Sequence, residues 1–257
     1  MSAPIETLRQ GAAALGTALS DKQAEQLLAY GTLMLKWNKV YNLTALRDPA
    51  SVLTHHLLDS LAAVAPLQRE WAGKGKLLDV GSGGGLPGVV IAIMRPDLDV
   101  SCLDAVAKKA AFVQQVAAEL ELPNLRGLHA RVESLTGSYE IISSRAFASL
   151  PDFFNGSKHL LAPDGVWLAM KGKVPSDELA VLPQEVAVFH VEQLTVPGLD
   201  AERCIVWARK ETARIGKKEA ATPVKAGAKR SSRHLPRLDS TPSPGSLFRG
   251  KSHVRHC

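Results

Sequence analysis

Apolar residues recur at helical spacing through the first quarter of the chain, then give way near Lys76 to short apolar runs alternating with amphipathic stretches. In "DKQAEQLLAYGTLMLKWNKVYNL" (21–43), Ala24, Leu27, Leu28, Leu35 and Leu43 lie near one helical face, with Ser20 or Asp21 as the N-cap. "DPASVLTHHLLDSLAAVAPL" (48–67) predicts a further helix that opens after Asp48-Pro49 and closes near Pro66. Strands are expected at "KLLDV" (76–80), "DVSCLDA" (99–105), "LRGLHAR" (125–131), "YEIISSRA" (139–146) and "GVWLAMKG" (165–172). Between them, helices are expected from Pro87 to Met94, over "KKAAFVQQVAAELEL" (108–122) up to Pro123, and from about Pro151 to Leu161. A short helix at "SDELAVLPQ" precedes two late strands, "VAVFHVEQLTV" and "ERCIVWAR", whose "PGLDA" connection suits a hairpin. Alternating strands and helices imply an α/β, doubly wound, mostly parallel sheet covered on both faces, with one late antiparallel strand. Three segments follow: a helical one over 1–70 packed on the core, an α/β core over 71–210, and a Lys/Arg/Ser/Pro/Gly-rich tail over 211–257 expected to be disordered alone.

Charge sharpens that division. The formal charge of the 257-residue chain is +6, but thirteen Lys/Arg against three Asp/Glu from Arg209 onward give that stretch a net +10. The body is left at −4, so the basic character belongs to the tail, where it suits a polyanionic partner or a solvated extension. With 46% hydrophobic residues the body can bury a sizeable core. No apolar run approaches the ~20 residues that span a bilayer, and "MSAPIETLRQ" lacks a basic segment followed by an apolar one. Cys102, Cys204 and Cys257 are too scattered for a disulfide framework or a zinc site, and Cys102 and Cys204 fall in expected strands. A cytoplasmic protein with neither membrane nor metal is expected.

The candidate chemistry centres on "LLDVGSGGGLPGVVIAI" (77–93), where a strand ends in an acid and five glycines fall within eight positions. A phosphate-cradling loop needs a lysine directly after its last glycine, but Val89 and Val90 follow Gly88. Gly83, Gly85 and Gly88 fit the dinucleotide pattern GxGxxG. Asp79-x-Gly81-x-Gly83-x-Gly85 also fits the first motif of class I S-adenosylmethionine-dependent methyltransferases. That cofactor carries no phosphate, so its loop needs close backbone approach, which glycine permits, and an acid near its cation. Asp104, closing the next strand 25 residues on, can accept hydrogen bonds from a ribose diol in either cofactor.

Further residues resemble one family. "DVGSGGGLPG", "RVE" (131–133), "SRAFASL" (144–150), "KWNKVYNLTALRDP" (36–49), "HHLLDSL" (55–61) and "MKG" (170–172) resemble the GidB/RsmG family of bacterial 16S rRNA guanine-N7 methyltransferases over roughly residues 20–210. The resemblance implies a Rossmann-like class I methyltransferase core with a helical N-terminus, S-adenosyl-L-methionine as cofactor and 16S rRNA, free or in a ribonucleoprotein, as partner. It implies cofactor contacts at Gly81, Leu86, Val132, Glu133 and Arg145, beside Asp79, Gly83, Gly85 and Asp104. Family chains stop near "RCIVWARKE", so nothing transfers to the tail. Val132 suits the adenine face and Glu133 its edge. Arg145, at a strand's carboxyl end, suits the cofactor carboxylate, an RNA phosphate or the target guanine. Lys171 is a candidate substrate contact.

What is missing agrees with the N7 chemistry that the resemblance implies. "SRAF" stands where exocyclic amino methylases carry [ND]PP[YFW], and no cysteine has the reactive setting that C5 methylation needs. Guanine N7 has a free lone pair and no proton, so positioning suffices. His56 and Asp59, at i and i+3, are expected to form a local pair at most. Trp37, Tyr41 and Asn42 suit core packing or RNA stacking. The rival functions are an NAD-dependent oxidoreductase and a non-enzymatic RNA-binding assembly factor.

Overall fold

A computed structural model describes residues 3–211, so all of the expected tail except Glu211 lies outside the described residues. The chain opens with α1 (Ala3–Ala14) and α2 (Asp21–Tyr41). Ser20 caps α2 through a reciprocal pair of bonds with Gln23, the S-x-x-Q pattern that satisfies two otherwise free N–H groups. Asn42 ends it in a left-handed conformation.

The second N-terminal helix differs from expectation. It begins at α3 (Pro49–Val52) behind the Asp48 cap, widens into a π-helical turn over Leu53–Leu58, and runs into α4 (Asp59–Leu61). After a break at Ala62–Ala63 it resumes as α5 (Val64–Glu70). Pro66 therefore does not close the helix: it sits in the first turn of α5, where a missing N–H has no partner to lose.

From there strands and helices alternate: β1 (Gly75–Val80), α6 (Gly88–Met94), β2 (Leu98–Asp104), α7 (Ala107–Glu119), β3 (Leu125–His129) and β4 (Tyr139–Arg145). They are followed by α8 (Leu150–Ser157), β5 (Leu161–Lys171), α9 (Ser176–Leu179), β6 (Val186–Leu194) and β7 (Arg203–Lys210). The seven strands lie in the order β3-β2-β1-β4-β5-β7-β6, with β7 antiparallel to both its neighbours; the "PGLDA" hairpin anticipated its pairing with β6. The helix expected to reach Leu161 stops at Ser157. The Ser157 hydroxyl bonds back to the Phe153 carbonyl and accepts the Trp167 indole N–H, and Leu161 already belongs to β5.

Period-two alternation sorts the side chains into two cores. Leu77, Val100, Cys102, Ile141, Leu168 and Trp207 pack under α2, α6 and α7. Leu78, Val80, Leu103, Ile142 and Trp167 pack against α8 with Phe153 and Phe154. Both faces are covered, which is why the strands read as continuous apolar runs. Cys102 and Cys204 are buried free thiols, in keeping with their strand positions. The chain order reverses between β1 and β4, and ligands of such sheets bind outside the strands' carboxyl ends at that point. Asp79, Asp104 and Arg145 all stand there. Among the described residues no helix is long and apolar enough to cross a membrane.

Candidate functional site

The glycine loop turns from β1 into α6 over the end of β2. Gly81, Gly83 and Gly85 take φ values of +66°, +59° and +89°, the left-handed region where a side chain is strained. Gly88 is needed for space: a Cβ there would lie 2.4 Å from the Cys102 sulfur. The loop is held from three sides. Ser82 N–H donates to the Leu103 carbonyl (3.0 Å), Gly83 N–H to Asp104 Oδ2 (3.0 Å), and the Tyr30 hydroxyl of α2 to the Gly84 carbonyl (2.6 Å).

Beside the loop lies a chamber of roughly 350 Å³ whose walls include Gly81, Asp104, Lys109, Val132, Glu133 and Phe147. Asp104 accepts from Gly83 and Val106 N–H, and Lys109 stands 3.6 Å away. Each carboxylate oxygen carries two lone pairs, so acceptor capacity remains on the chamber side. Val132 contributes a buried apolar wall from the turn after β3, with exposed Glu133 next to it. The residues fit a nucleoside cofactor: an acid at a strand end, an apolar plate, and a glycine that leaves the wall open.

A second chamber of roughly 460 Å³ lies on the other side of Ala146 and is lined by Thr44, His56, Asp59, Arg145, Lys171 and Arg203, among others. A smaller cavity of roughly 210 Å³ lies at the junction, bounded by Gly81, Gly83, Leu86, Lys109, Arg145 and Ala146 and sharing wall residues with both chambers. Ala146 borders all three and adopts φ +51°, so the "SRAF" segment turns sharply where they meet. Arg145 thus belongs to the second chamber and the junction rather than to the first. Its Nη1 donates to Asp59 Oδ2 (2.7 Å), and its Nη2 lies 3.3 Å from His56 Nδ1. His56 and Asp59 do not pair directly; Arg145 stands between them. Lys171 Nζ bonds to the Ala148 carbonyl (2.9 Å) and Glu178 (2.8 Å), bracing the "SRAFA" turn from below.

Asp79 and Gly85 pack beneath the loop. Asp79 shares the face of Leu77, not that of Val80, so its carboxylate lies under α6, where it accepts from Gly88 N–H (2.9 Å) and the Ser143 hydroxyl (2.9 Å). The sequence expectation of an acid directly neutralising a cofactor cation is met instead by a fully buried one that fixes the loop's exit. Burial pushes its pKa up to about 7, against the lowering effect of those two bonds and of Arg145. Burial, reinforced by the charge of Arg145, pushes His56 down to about 4, so the imidazole is neutral at pH 7.

The Asp79 shift has a testable sign. The folded state holds this proton up to about pH 7 while the unfolded chain releases it at its ordinary 3.8. The stabilisation is therefore complete below about pH 4 and lost as pH rises through 7. Asp79→Asn stays neutral throughout. Its stability relative to the parent, from urea denaturation at fixed pH values, is expected to rise by about 1.4 kcal/mol per pH unit between pH 4 and 7 and then level off. His56, present in both proteins, cancels in that difference. A pH-independent difference refutes the assignment.

Sequence reasoning missed the residues that complete the second chamber. Asp59 was read only against His56, and Arg203 only as part of a strand, because the two meet across 144 residues (Nε to Oδ1, 2.7 Å). Trp37 resolves to packing, its ring 5.4 Å from that of Phe112. Among the described residues no group of three or more His, Cys, Asp or Glu could hold a metal ion.

Two solved structures share this architecture. TrmN from Thermus thermophilus superposes with a TM-score of 0.50 at 18% identity, covering 62% of this chain and 53% of that one. The 1,6-didemethyltoxoflavin-N1-methyltransferase of Burkholderia thailandensis, which holds S-adenosylhomocysteine, gives 0.50 at 16%, covering 72% and 90%. The fold is that of the class I S-adenosylmethionine-dependent methyltransferases. Sequence comparison narrows the class: the GidB family model, described as rRNA small subunit methyltransferase G, matches residues 23–206. The ribosomal RNA small subunit methyltransferase G of Acidovorax sp. (strain JS42) is 64% identical over 211 residues, covering 79% of this chain and 93% of that protein. That of Paracidovorax citrulli is 63% identical over 221 residues, covering 81% and 90%. This chain belongs to the GidB family, which bears out the resemblance carried by "DVGSGGGLPG", "RVE" and "SRAFASL".

Proposed function

We propose that this protein is a cytoplasmic enzyme that transfers the methyl group of S-adenosyl-L-methionine to N7 of a guanosine in bacterial 16S rRNA. The observation that carries the reading is the pair of chambers meeting at Ala146, one fitted to a nucleoside and the other to a polar base, in a chain of this family.

Gly81, Asp104, Val132 and Glu133 hold the cofactor in the first chamber; Gly83, Leu86 and Arg145 border the junction toward its reactive end. Asp104 accepts from the ribose diol, and Val132 packs on the adenine. Bound there, the cofactor supplies an electrophilic methyl on a sulfonium. The chain's task is to bring the target base through the junction and hold N7 in line, since N7 carries no proton and requires no general base. Neutral His56 and the engaged Lys171 agree with a site that positions rather than exchanges protons. Arg145 faces the target nucleotide and Lys171 shapes the turn that carries Ala146.

The test is methyl transfer from labelled cofactor to small ribosomal subunits, protein-free 16S rRNA and total tRNA, followed by nucleoside mass spectrometry. N7-methylguanosine in 16S rRNA is expected, and the better acceptor identifies the natural partner as free RNA or ribonucleoprotein. Label confined to tRNA, or a different modified base, overturns the reading.

A further inference from the structure

Asp59 is a buried charged group outside the glycine loop. Its side chain is only 3% exposed, yet it comes from the N-terminal helical segment at the point where the π-helical turn ends. Its two oxygens are divided between two arginines from different strands: Oδ2 takes Arg145 Nη1 from the end of β4, and Oδ1 takes Arg203 Nε from the start of β7, both at 2.7 Å. β4 and β7 are not neighbours in the sheet, because β5 lies between them. The antiparallel direction of β7 brings its first residue to the carboxyl end of the parallel strands, where Arg203 can reach the chamber. The carboxylate therefore spans the strand between and fixes two guanidinium planes on one wall.

The arrangement leaves donors to spare. Among the described residues, Arg145 Nε and Arg203 Nη2 meet no acceptor, and the two side chains are 17% and 24% exposed. Two cations against one anion give the wall a net positive charge, while Lys171 is paired with Glu178. Leu46 and Met170 supply apolar surface in the same chamber, suited to the face of a base. A structural ion pair alone would need one arginine, and burying a third charge carries a desolvation cost that packing does not explain.

We propose that Asp59 is a positioning residue that aligns Arg145 and Arg203 as a paired donor wall for an oxygen acceptor of the target nucleotide, either guanine O6 or the adjoining phosphate. The inference rests on the methyltransferase reading above. Arginine's rigid fork suits such recognition, which lysine cannot reproduce. Asp59 touches no substrate itself; it acts by holding both forks at once.

The experiment uses the full chain, small subunits or 16S rRNA as acceptor, and three substitutions: Asp59→Asn, Asp59→Glu and Arg203→Lys. Asp59→Asn is expected to lower kcat/KM for RNA about 100-fold through misplacement of the forks, with S-adenosylhomocysteine affinity within about threefold of the parent because the first chamber is untouched. Arg203→Lys keeps the ion pair and fold but loses the fork, and is expected to lower kcat/KM about tenfold. Asp59→Glu, which retains the charge, is expected to recover part of the activity lost in Asp59→Asn. A fourth substitution that removes the charge, Arg203→Gln, separates the acceptors in a salt series: an unchanged slope of log kcat/KM identifies O6, and a slope shallower by about one unit identifies phosphate.

Rates within threefold of the parent for both Asp59→Asn and Arg203→Lys overturn the proposal, as does a loss of cofactor affinity parallel to the loss of rate. Should Asp59→Asn fail to fold, Arg203→Lys decides alone. An inactive parent protein would instead overturn the underlying reading, so the two failures are distinct.

Discussion

Gly81→Arg is expected to reduce affinity for S-adenosylhomocysteine by about 100-fold or more, because the new side chain enters the first chamber and must be displaced before a ligand can occupy it. An ideal Cβ at this position already lies 2.1 Å from the Phe147 ring, and φ is +66°. The backbone strain acts on free and bound protein alike, so it shows as a loss of stability of about 1–3 kcal/mol rather than of affinity. Calorimetric titration gives the first quantity and thermal unfolding by circular dichroism the second. Gly81→Ala grades the effect: its methyl displaces only the half-exposed Phe147 ring, and affinity is expected to fall about tenfold. Unchanged affinity in Gly81→Arg, with the fold intact, would remove this glycine from the cofactor site.

Arg145→Ala is expected to lower kcat/KM for rRNA by about 1,000-fold, the size of effect seen when a preorganised donor at a reacting centre is removed. It also leaves buried Asp59 paired with Arg203 alone, and the lost charge-assisted hydrogen bond costs about 1.5–3 kcal/mol. The two consequences must be separated. Arg145→Lys keeps a cation near Asp59 and is expected to recover most of the stability but little of the activity, because an ammonium lacks the planar fork that presents separate donors to carboxylate and nucleotide. Steady-state kinetics and thermal unfolding on both variants check this; equal recovery of rate and stability by lysine would reduce Arg145 to a structural charge.

What the sequence showed of this fold was whatever is local. The Ser20 cap, the strand-turn-helix at the glycines and the hairpin before Arg203 each depend on residues a few positions apart, and each was legible. Asp104 was legible for a different reason: it closes an apolar run, and the carboxyl ends of parallel strands share one edge, whereas Val132 was marked only by the family resemblance. Asp79, expected at the cofactor, is instead placed under α6 by its parity with Leu77; burial, not chemical type, decides what a carboxylate meets. The Asp59–Arg203 contact had no local signature at all. It requires knowing that β7 inserts antiparallel between β5 and β6, which periodicity does not contain. Pro66 misled because proline breaks a helix interior but not a first turn, and the restart after Ala62–Ala63 carries no strong signal.

The bond from Tyr30 to the Gly84 carbonyl bears on how freely this protein can be recombined. Tyr30 is fully buried, its ring stacks 6.3 Å from that of Phe112, and burial keeps its hydroxyl protonated well above the ordinary tyrosine range, so the donor survives at alkaline pH. The α/β core beginning near residue 71 is thus not an interchangeable module. Its glycine loop takes one of its anchors from Tyr30 in α2, well upstream of that boundary. Chimaeras between family members are better joined before Asp21 than after Tyr41, so that loop and anchoring helix are inherited from the same parent.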